Sequence, residues 1–438
     1  MTICLVTDIY APLVGGIPTF YSYLANNLVN DGHQVLILTL DYSNKNKKED
    51  VYEIANEQLT IIRLNKQYTV YYEHYKPFFR PGGINAPHWL ALGFSMRHWL
   101  NENHNKYKID IVEVNDYGGL GFFLMGPDLP PVVLSGNSAL HQIQQLSNLN
   151  DDDHVKVLKE LESLSFKYAN AIIAHSNLNK DALEKLTGRS VEYVMAPFEL
   201  TYSEISNRGN LDPVVVGGLQ KIKGAVVMAD AAIELKSKNP NISVNWIGYD
   251  TYTAPGRKSM SQFLSKNYPS VWQSNLRWLG EKDRAVVLKE IEECSFVIVP
   301  SLWETFNYTV LEAADLAKAL IITNTTGASS LFTHEYDAII IESGNSKALA
   351  DSILLLYNDV EKRNKLGTNA RKTLEMHYSN NKSSEERIFI YKKIIDERHV
   401  MGNLFEDHIL FLEKYCTRSR MRYYKFRSLI KKFIKGNK

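Results

Sequence analysis

At 438 residues the chain is too long for one small core, and its length implies two or three domains. With 45% hydrophobic and 23% charged residues it has a globular profile, which excludes a disordered or fibrous chain. A net charge of +1 gives no bulk reason to expect a nucleic-acid partner.

Residues 3–7 read as a buried strand with no basic leader before them, so no secretion signal is expected. Cys4, Cys294 and Cys416 lie far apart and match no metal-ligand or disulfide spacing. Free thiols fit a reducing compartment, and the expected location is cytoplasmic. No apolar run reaches the roughly 18 residues that a membrane-spanning helix needs.

Short apolar runs recur at 3–7, 34–40, 59–64, 110–114, 131–135, 171–175 and 191–195. A second series falls at 213–217, 243–247, 276–279, 296–300, 319–323 and 338–341. Amphipathic stretches lie between them, at 18–31, 154–169, 179–187, 224–238, 283–293, 309–317, 346–358 and 361–376. Strands alternating with helices imply parallel sheets with right-handed crossovers. Continuously apolar strands are those covered on both faces. The series restarts after the polar, aperiodic segment 197–212, which reads as a linker. The expected fold class is therefore α/β: two Rossmann-like domains with parallel sheets, 1–198 and 199–380, facing each other across a cleft. Helices over 381–438 would follow, the first packing back on the N-terminal domain. Open α/β sheets bind ligands at the carboxyl ends of their strands, which here means in the cleft.

After the first strand, Gly15 and Gly16 precede a helix that has Pro18 in its first turn. Paired glycines let a backbone approach a ligand, and a helix amino end favours phosphate. A plain tight turn would look the same, and the segment alone does not decide between them. A sharper pattern is Val299-Pro300-Ser301-Leu302-Trp303-Glu304-Thr305-Phe306-Asn307-Tyr308-Thr309-Val310-Leu311-Glu312-Ala313-Ala314. Glu304 sits on a loop after a strand, and Glu312 lies about two turns into the next helix. Hydrolytic carboxylate pairs flank one bond from two sides. This pair instead suits two ends of one extended ligand, with the N–H groups of Asn307, Tyr308 and Thr309 between them for a diphosphate. The alternative is a chance pair on a solvated helix face. Against it, Glu312 is flanked by Val310, Leu311, Ala313 and Ala314, and a lone carboxylate buried there is costly.

This segment resembles the signature of the large retaining glycosyltransferase family four, of the GT-B fold. The resemblance takes in Gly15-Gly16, Ala174-His175-Ser176, Val216-Gly217-Gly218-Leu219 to Lys223-Gly224, Trp278-Leu279-Gly280-Glu281, and Asp337 to Asp359. It covers roughly residues 1 to 380, with the motifs in the right order. It implies a nucleoside-diphosphate sugar as donor, a UDP-sugar first, and a saccharide or lipid-linked acceptor in surface polysaccharide or glycan synthesis. It implies that Glu304 contacts the transferred sugar, Glu312 the ribose and Lys223 the diphosphate, where a cation stabilises the leaving group. Lys223 and Glu304 are thus the catalytic candidates. Gly15, Gly16, Gly280, Glu281, Thr305, Phe306, Asn307, Tyr308, Thr309 and Glu312 are the donor-binding ones. No cofactor and no metal are expected, and the resemblance implies retention of anomeric configuration.

The chain departs from the family's pattern in three places. Where the family carries an arginine shortly before the lysine, this chain has Gly218, and Lys221 or Arg257 is a candidate substitute. Where a His-Gly pair is common, it has Ser135-Gly136-Asn137-Ser138, with His141 nearby. Asn307 replaces a frequent glycine, although asparagine also tolerates unusual backbone angles. These departures leave open a homologue that binds a sugar nucleotide without catalysis. An epimerase on the same fold is a further reading.

On the acceptor side, 67–89 is crowded with aromatics and includes Arg80, which is suited to a lipid-linked diphosphate. The same segment reads equally as a loop packing its own aromatics. Asp116, Ser135, Asn137 and His141 complete the acceptor candidates, although Asp116 is also placed to cap a helix. From Lys414 to the end, basic residues recur with no acidic one among them, and Tyr423, Phe426, Ile430 and Phe433 are spaced as on a helix face. A basic amphipathic helix suits an anionic membrane surface, or docking on another subunit.

Overall fold

The computed structural model describes residues 1–42, 49–79, 85–201, 212–379, 382–397 and 404–416. The first sheet contains β1 (Thr2–Val6), β2 (Gln34–Leu40), β3 (Val51–Asn56), β4 (Leu59–Leu64), β5 (Ile111–Asn115), β6 (Val132–Gly136), β7 (Ala171–Ala174) and β8 (Glu192–Tyr193). Their order across the sheet is β3-β4-β2-β1-β5-β6-β7-β8. The second sheet contains β9 (Val214–Val216), β10 (Val244–Ile247), β11 (Leu276–Gly280), β12 (Phe296–Val299), β13 (Ala319–Thr323) and β14 (Ile339–Ile341), ordered β11-β10-β9-β12-β13-β14. Every pairing is parallel except β3 with β4.

The strand alternation explains the layers. In β1, Ile3 and Leu5 face one core while Cys4 and Val6 face another. The core that takes Ile3 and Leu5 continues through Phe20 and Phe198 to Phe306, Val310 and Val299, so one apolar layer joins the two sheets' helices. A third core lies under the far face of the second sheet, around Trp246, Met228 and Leu349. In each sheet the strand order reverses beside the first strand, between β1 and β5 and between β9 and β12. A reversal leaves a crevice at the strands' carboxyl ends.

β3 is an element that the apolar runs do not indicate. It pairs antiparallel at the edge and is exposed over most of its length. An exposed edge strand has no buried row to mark it in sequence. Segment 67–89 also differs from the acceptor loop that its aromatics suggest. Helix Lys66–Tyr75 occupies much of it, and Tyr71 and Tyr75 are buried in the core against Phe94. The Tyr68 hydroxyl lies 2.7 Å from His88 Nδ1. These rings mostly support the domain; Arg80 lies outside the described residues.

Helix Lys382–Glu397 returns to the N-terminal domain. Arg387 Nη1 donates to Glu113 Oε1 at 2.5 Å and Oε2 at 2.6 Å, and the Tyr391 hydroxyl donates to the same carboxylate. Helix Leu404–Cys416 follows on that domain, with the His408 ring stacked 3.9 Å from Phe122 and with Lys414 on Glu160. Lys414, the first residue of the basic tail, is thus engaged with the protein, and 417–438 lie outside the described residues.

Candidate active site

Two loops leave the second sheet on either side of its reversal. One follows β9 and carries Lys223; the other follows β12 and carries Glu304. They meet back to back: Leu302 N donates to Ile222 O at 2.7 Å. Gly224 makes this possible. It has φ +83, and a Cβ on it would collide with the Pro300 carbonyl. Gly224→Ala is therefore expected to force the loops apart, lowering the melting temperature and donor affinity together. An unchanged melting temperature would contradict this packing.

Lys223 Nζ donates to Glu304 Oε1, which also accepts from Ser301 Oγ at 3.0 Å and Asn307 Nδ2 at 3.2 Å. The backbone of Glu304 is braced by the loop after β13: Glu304 N donates to Thr325 O, and Gly327 N donates to Glu304 O. Asn307 has φ 97 and ψ 103, a conformation in which glycine is at ease. Helix Tyr308–Asp315 starts there with no side-chain cap, so its first N–H groups are open to a ligand.

Glu312 does find a partner. Its side chain is 7% exposed, and Arg284 Nη1 lies 2.7 Å from Oε1. Burial pushes the Glu312 carboxyl above its ordinary value, and the Arg284 charge opposes that shift. Arg284 opens helix Arg284–Glu293, three residues beyond Glu281, and reaches the Tyr23 hydroxyl of the N-terminal domain at 3.4 Å. The sequence reading misses it. The available signal was the demand for a cation near a carboxylate in an apolar helix stretch.

Lys223, Glu304, Arg284 and Glu312 face one cavity of about 370 Å3, within the range of small-molecule sites. Gly15, Gly16, Asn137, Lys223, Glu281, Glu304, Thr305, Phe306, Asn307, Tyr308, Thr309 and Glu312 line it; Gly280, which ends β11, does not. Thr305 is turned toward the N-terminal domain. Its hydroxyl donates to Asn137 O at 2.7 Å, and its carbonyl accepts from Ser176 Oγ at 2.6 Å. Gly327 allows this approach, because a side chain there would meet Thr305 O and Ser176 Oγ. Of the substitutes considered for the missing arginine, Lys221 is turned to Asn148 Oδ1 at 3.0 Å, and neither it nor Arg257 lines the cavity. Lys282 and Arg284 do.

The other acceptor candidates lie beneath the cavity rather than on it. Ser135 is fully buried, 2.8 Å from His175 Nε2. His175 Nδ1 faces the Val194 carbonyl and so carries the proton, which makes Ser135 the donor to Nε2. Burial, and then the Arg387 charge, lowers the His175 imidazole to about 3, so it stays neutral. His141 is held at 2.9 Å by the buried Glu162. Asn137, two residues past Ser135, lines the cavity, as does Ser138 after it.

Asp116 Oδ1 accepts from Asn137 N at 3.0 Å and Ser138 N at 3.1 Å, which fixes that rim. Burial raises its carboxyl from 3.8 to about 7, against those backbone bonds and with help from the Glu162 charge. Between these two values the unfolded chain has released the proton while the fold retains it. This group therefore makes stability fall as pH rises through that window. Asp116→Asn is expected to flatten the fall between pH 4 and 7 in urea-unfolding series, relative to the unaltered protein. Parallel pH profiles would rule out a retained proton.

Residues 14–194 match Glycosyltransferase Family 4, and residues 205–373 match Glycosyl transferases group 1. The chain belongs to this glycosyltransferase family and has its GT-B fold. An uncharacterized glycosyltransferase of Methanocaldococcus jannaschii is 28% identical over 238 residues, 53% of this chain and 62% of that protein. The N,N'-diacetylbacillosaminyl-diphospho-undecaprenol alpha-1,3-N-acetylgalactosaminyltransferase of Campylobacter jejuni is 25% identical over 257 residues, 55% of this chain and 64% of that enzyme. Each match spans less than two thirds of the relative's length. The Anabaena HepE structure in complex with UDP-glucose superposes with a TM-score of 0.65 at 15% identity, covering 89% of this chain and 99% of that one. At that identity the likeness concerns the fold alone.

Proposed function

We propose that the protein transfers a sugar from a nucleoside-diphosphate sugar to a saccharide or glycolipid acceptor, with retention of anomeric configuration and without a metal. The observation that carries this reading is the layout of one cavity. Lys223 and Glu304 lie at one end, Arg284 and Glu312 at the other, and an uncapped helix amino end lies between them. In this reading Glu304 accepts hydrogen bonds from hydroxyls of the transferred sugar, and Glu312 accepts them from the ribose. The N–H groups of Tyr308 and Thr309 and the Lys223 ammonium hold the diphosphate.

As the bond from the anomeric carbon to the phosphate oxygen breaks, negative charge grows on the phosphate beside Lys223. A fixed cation there stabilises the departing group more than the bound donor. The acceptor hydroxyl attacks the anomeric carbon on the face the diphosphate leaves, and its proton passes to the leaving phosphate oxygen. Glu304 is engaged by three donors on one oxygen, which suits a hydroxyl acceptor better than a nucleophile. Positive side chains supply the charge that a metal would otherwise bring. Among the described residues no cluster of His, Cys, Asp and Glu is arranged to hold one.

HepE was solved with UDP-glucose, and the Campylobacter relative is named for transfer to a diphospho-undecaprenol-linked sugar. A UDP-sugar and a lipid-linked saccharide are therefore the first donor and acceptor to try. Product NMR in the presence of a chelator tests the mechanism: the new linkage is expected to keep the donor's anomeric form, and inversion or chelator-sensitive turnover would refute it. No helix among the described residues is long and apolar enough to cross a membrane. Contact with the membrane's cytoplasmic face is proposed to come from the basic tail. A chain ending at Cys416 is then expected to stay active yet lose binding to acidic vesicles; full binding would contradict this.

A further inference from the structure

The charges lining the cavity balance in number, and two carboxylate–cation pairs are in direct contact. Among the described residues its lining carries the carboxylates of Glu281, Glu304 and Glu312 and the cations of Lys223, Lys282 and Arg284. Lys223 is on Glu304 and Arg284 is on Glu312. A sugar-linked diphosphate brings about two more negative charges into this site, and phosphate is best met by fixed cations. The end of β9 supplies one of them, Lys223. Gly218 has no side chain, and a Cβ on it would lie 3.0 Å from Gln220 Nε2 and 3.1 Å from the Tyr249 ring. A long basic side chain could enter there only by displacing those neighbours.

We propose that Arg284 is the second diphosphate-holding cation, exchanging the Glu312 carboxylate for phosphate oxygens as ribose hydroxyls take its place on Glu312. This rests on the donor reading above. Three observations support it. Arg284 is placed on the cavity from both sides, with one nitrogen 2.7 Å from Glu312 and another 3.4 Å from the Tyr23 hydroxyl, on the helix that begins at Gly16. Its side chain is 39% exposed, so its planar fork of donors can reorient, whereas Glu312 is enclosed and cannot follow it. Arg284 also sits in the first turn of its own helix, a turn with no acidic residue, where the helix field disfavours a cation. The carboxylate it holds, or the phosphate it meets, offsets that local cost.

Once ribose hydroxyls donate to Glu312, its charge remains satisfied without the guanidinium. Arg284 can then neutralise the diphosphate with Lys223, the one following β11 and the other following β9. The exchange predicts an affinity pattern that a purely supporting role for Arg284 does not give. If Arg284 only positioned Glu312, its loss would weaken nucleoside and nucleoside diphosphate alike.

Calorimetric titration of UDP and uridine into the protein, Arg284→Ala, Arg284→Gln and Arg284→Lys separates the two. Arg284→Gln can still donate to Glu312, which guards against collapse of the site. The proposal predicts that Arg284→Ala and Arg284→Gln weaken UDP binding by ~10–100-fold but uridine binding by less than ~3-fold, with Arg284→Lys recovering part of the UDP loss. Equal losses for both ligands, no loss for either, or a UDP-selective loss in Lys282→Ala but not in Arg284→Ala would overturn it. If the unaltered protein binds neither UDP nor GDP, ADP or TDP, the donor reading itself fails, which is a different result from any of these.

Discussion

Glu304→Ala and Lys223→Ala are each expected to lower the rate of sugar transfer by ~10²–10³-fold or more while leaving the chain folded. The two residues form one contact from opposite sides of the second sheet's reversal, so each change removes a preorganised charge from the reacting end of the cavity. Neither should unfold the protein. In Lys223→Ala the Glu304 carboxylate keeps its bonds from Ser301 and Asn307. In Glu304→Ala the freed ammonium is on a side chain 30% exposed, which water can reach. The effects should fall on different terms. Lys223→Ala should reduce kcat and also weaken nucleoside-diphosphate binding. Glu304→Ala should reduce kcat with little change in nucleoside-diphosphate binding, since its partner is the sugar. Glu304→Gln, which keeps an acceptor oxygen without the charge, should be the milder of the two Glu304 changes. Steady-state rates with calorimetry check this, and near-normal turnover in both alanine variants would remove the catalytic assignment.

The largest stability effect is expected behind the cavity lining, at Glu113 and Arg387. Both are almost fully enclosed, at 0% and 1% exposure, and they tie helix Lys382–Glu397 to β5. Breaking a buried ion pair from one side leaves a charge with no counterion, a cost of about 3–5 kcal/mol. Glu113→Ala and Arg387→Ala should each lose about that much in urea unfolding, and Tyr391→Phe, which removes one neutral donor, should lose about 1–2 kcal/mol. Replacing both charges by apolar side chains, Glu113→Leu with Arg387→Met, should be less damaging than either single change. The double-mutant cycle isolates that coupling. A single-variant loss below about 1 kcal/mol would mean that the helix is held by its apolar face, Ile390 and Ile394, and not by the pair. The region bears on the cavity indirectly: the Arg387 guanidinium lies 5.7 Å from the Phe20 ring, and Phe20 lines the cavity with His175.

Much of this architecture is legible in the sequence because parallel strands covered on both faces must be apolar throughout. Every apolar run taken as a strand overlaps one, from β1 to β14. β3 is missed for the opposite reason: Tyr52, Glu53, Ile54 and Asn56 are exposed on an edge. Helix Ala86–Tyr107 is absent from the expected helices because Trp89 through Met96 are buried on every side, which leaves no apolar stripe to count. At the site, Glu304, Glu312 and Lys223 are readable because they sit at fixed distances within short motifs. Arg284 is not, because its partner lies on the helix that follows another strand, and a basic residue at a helix start carries no marker of its own. The Ser135 segment shows the limit of reading position from a strand end. Ser135 is still within β6 and buried, and the chain reaches the cavity only at Asn137.

The central claim is a nucleoside-diphosphate sugar bound between Glu304 and Glu312 and consumed there. The most direct test is thermal-shift binding of UDP-, GDP-, ADP- and TDP-sugars to the full chain, followed by assay of diphosphate release with lipid-linked saccharide acceptors. Stabilisation by one donor class, release of its diphosphate, and loss of that release in Glu304→Ala are the expected results. Stabilisation with no release in the presence of acceptors, or no stabilisation by any donor, would contradict the account.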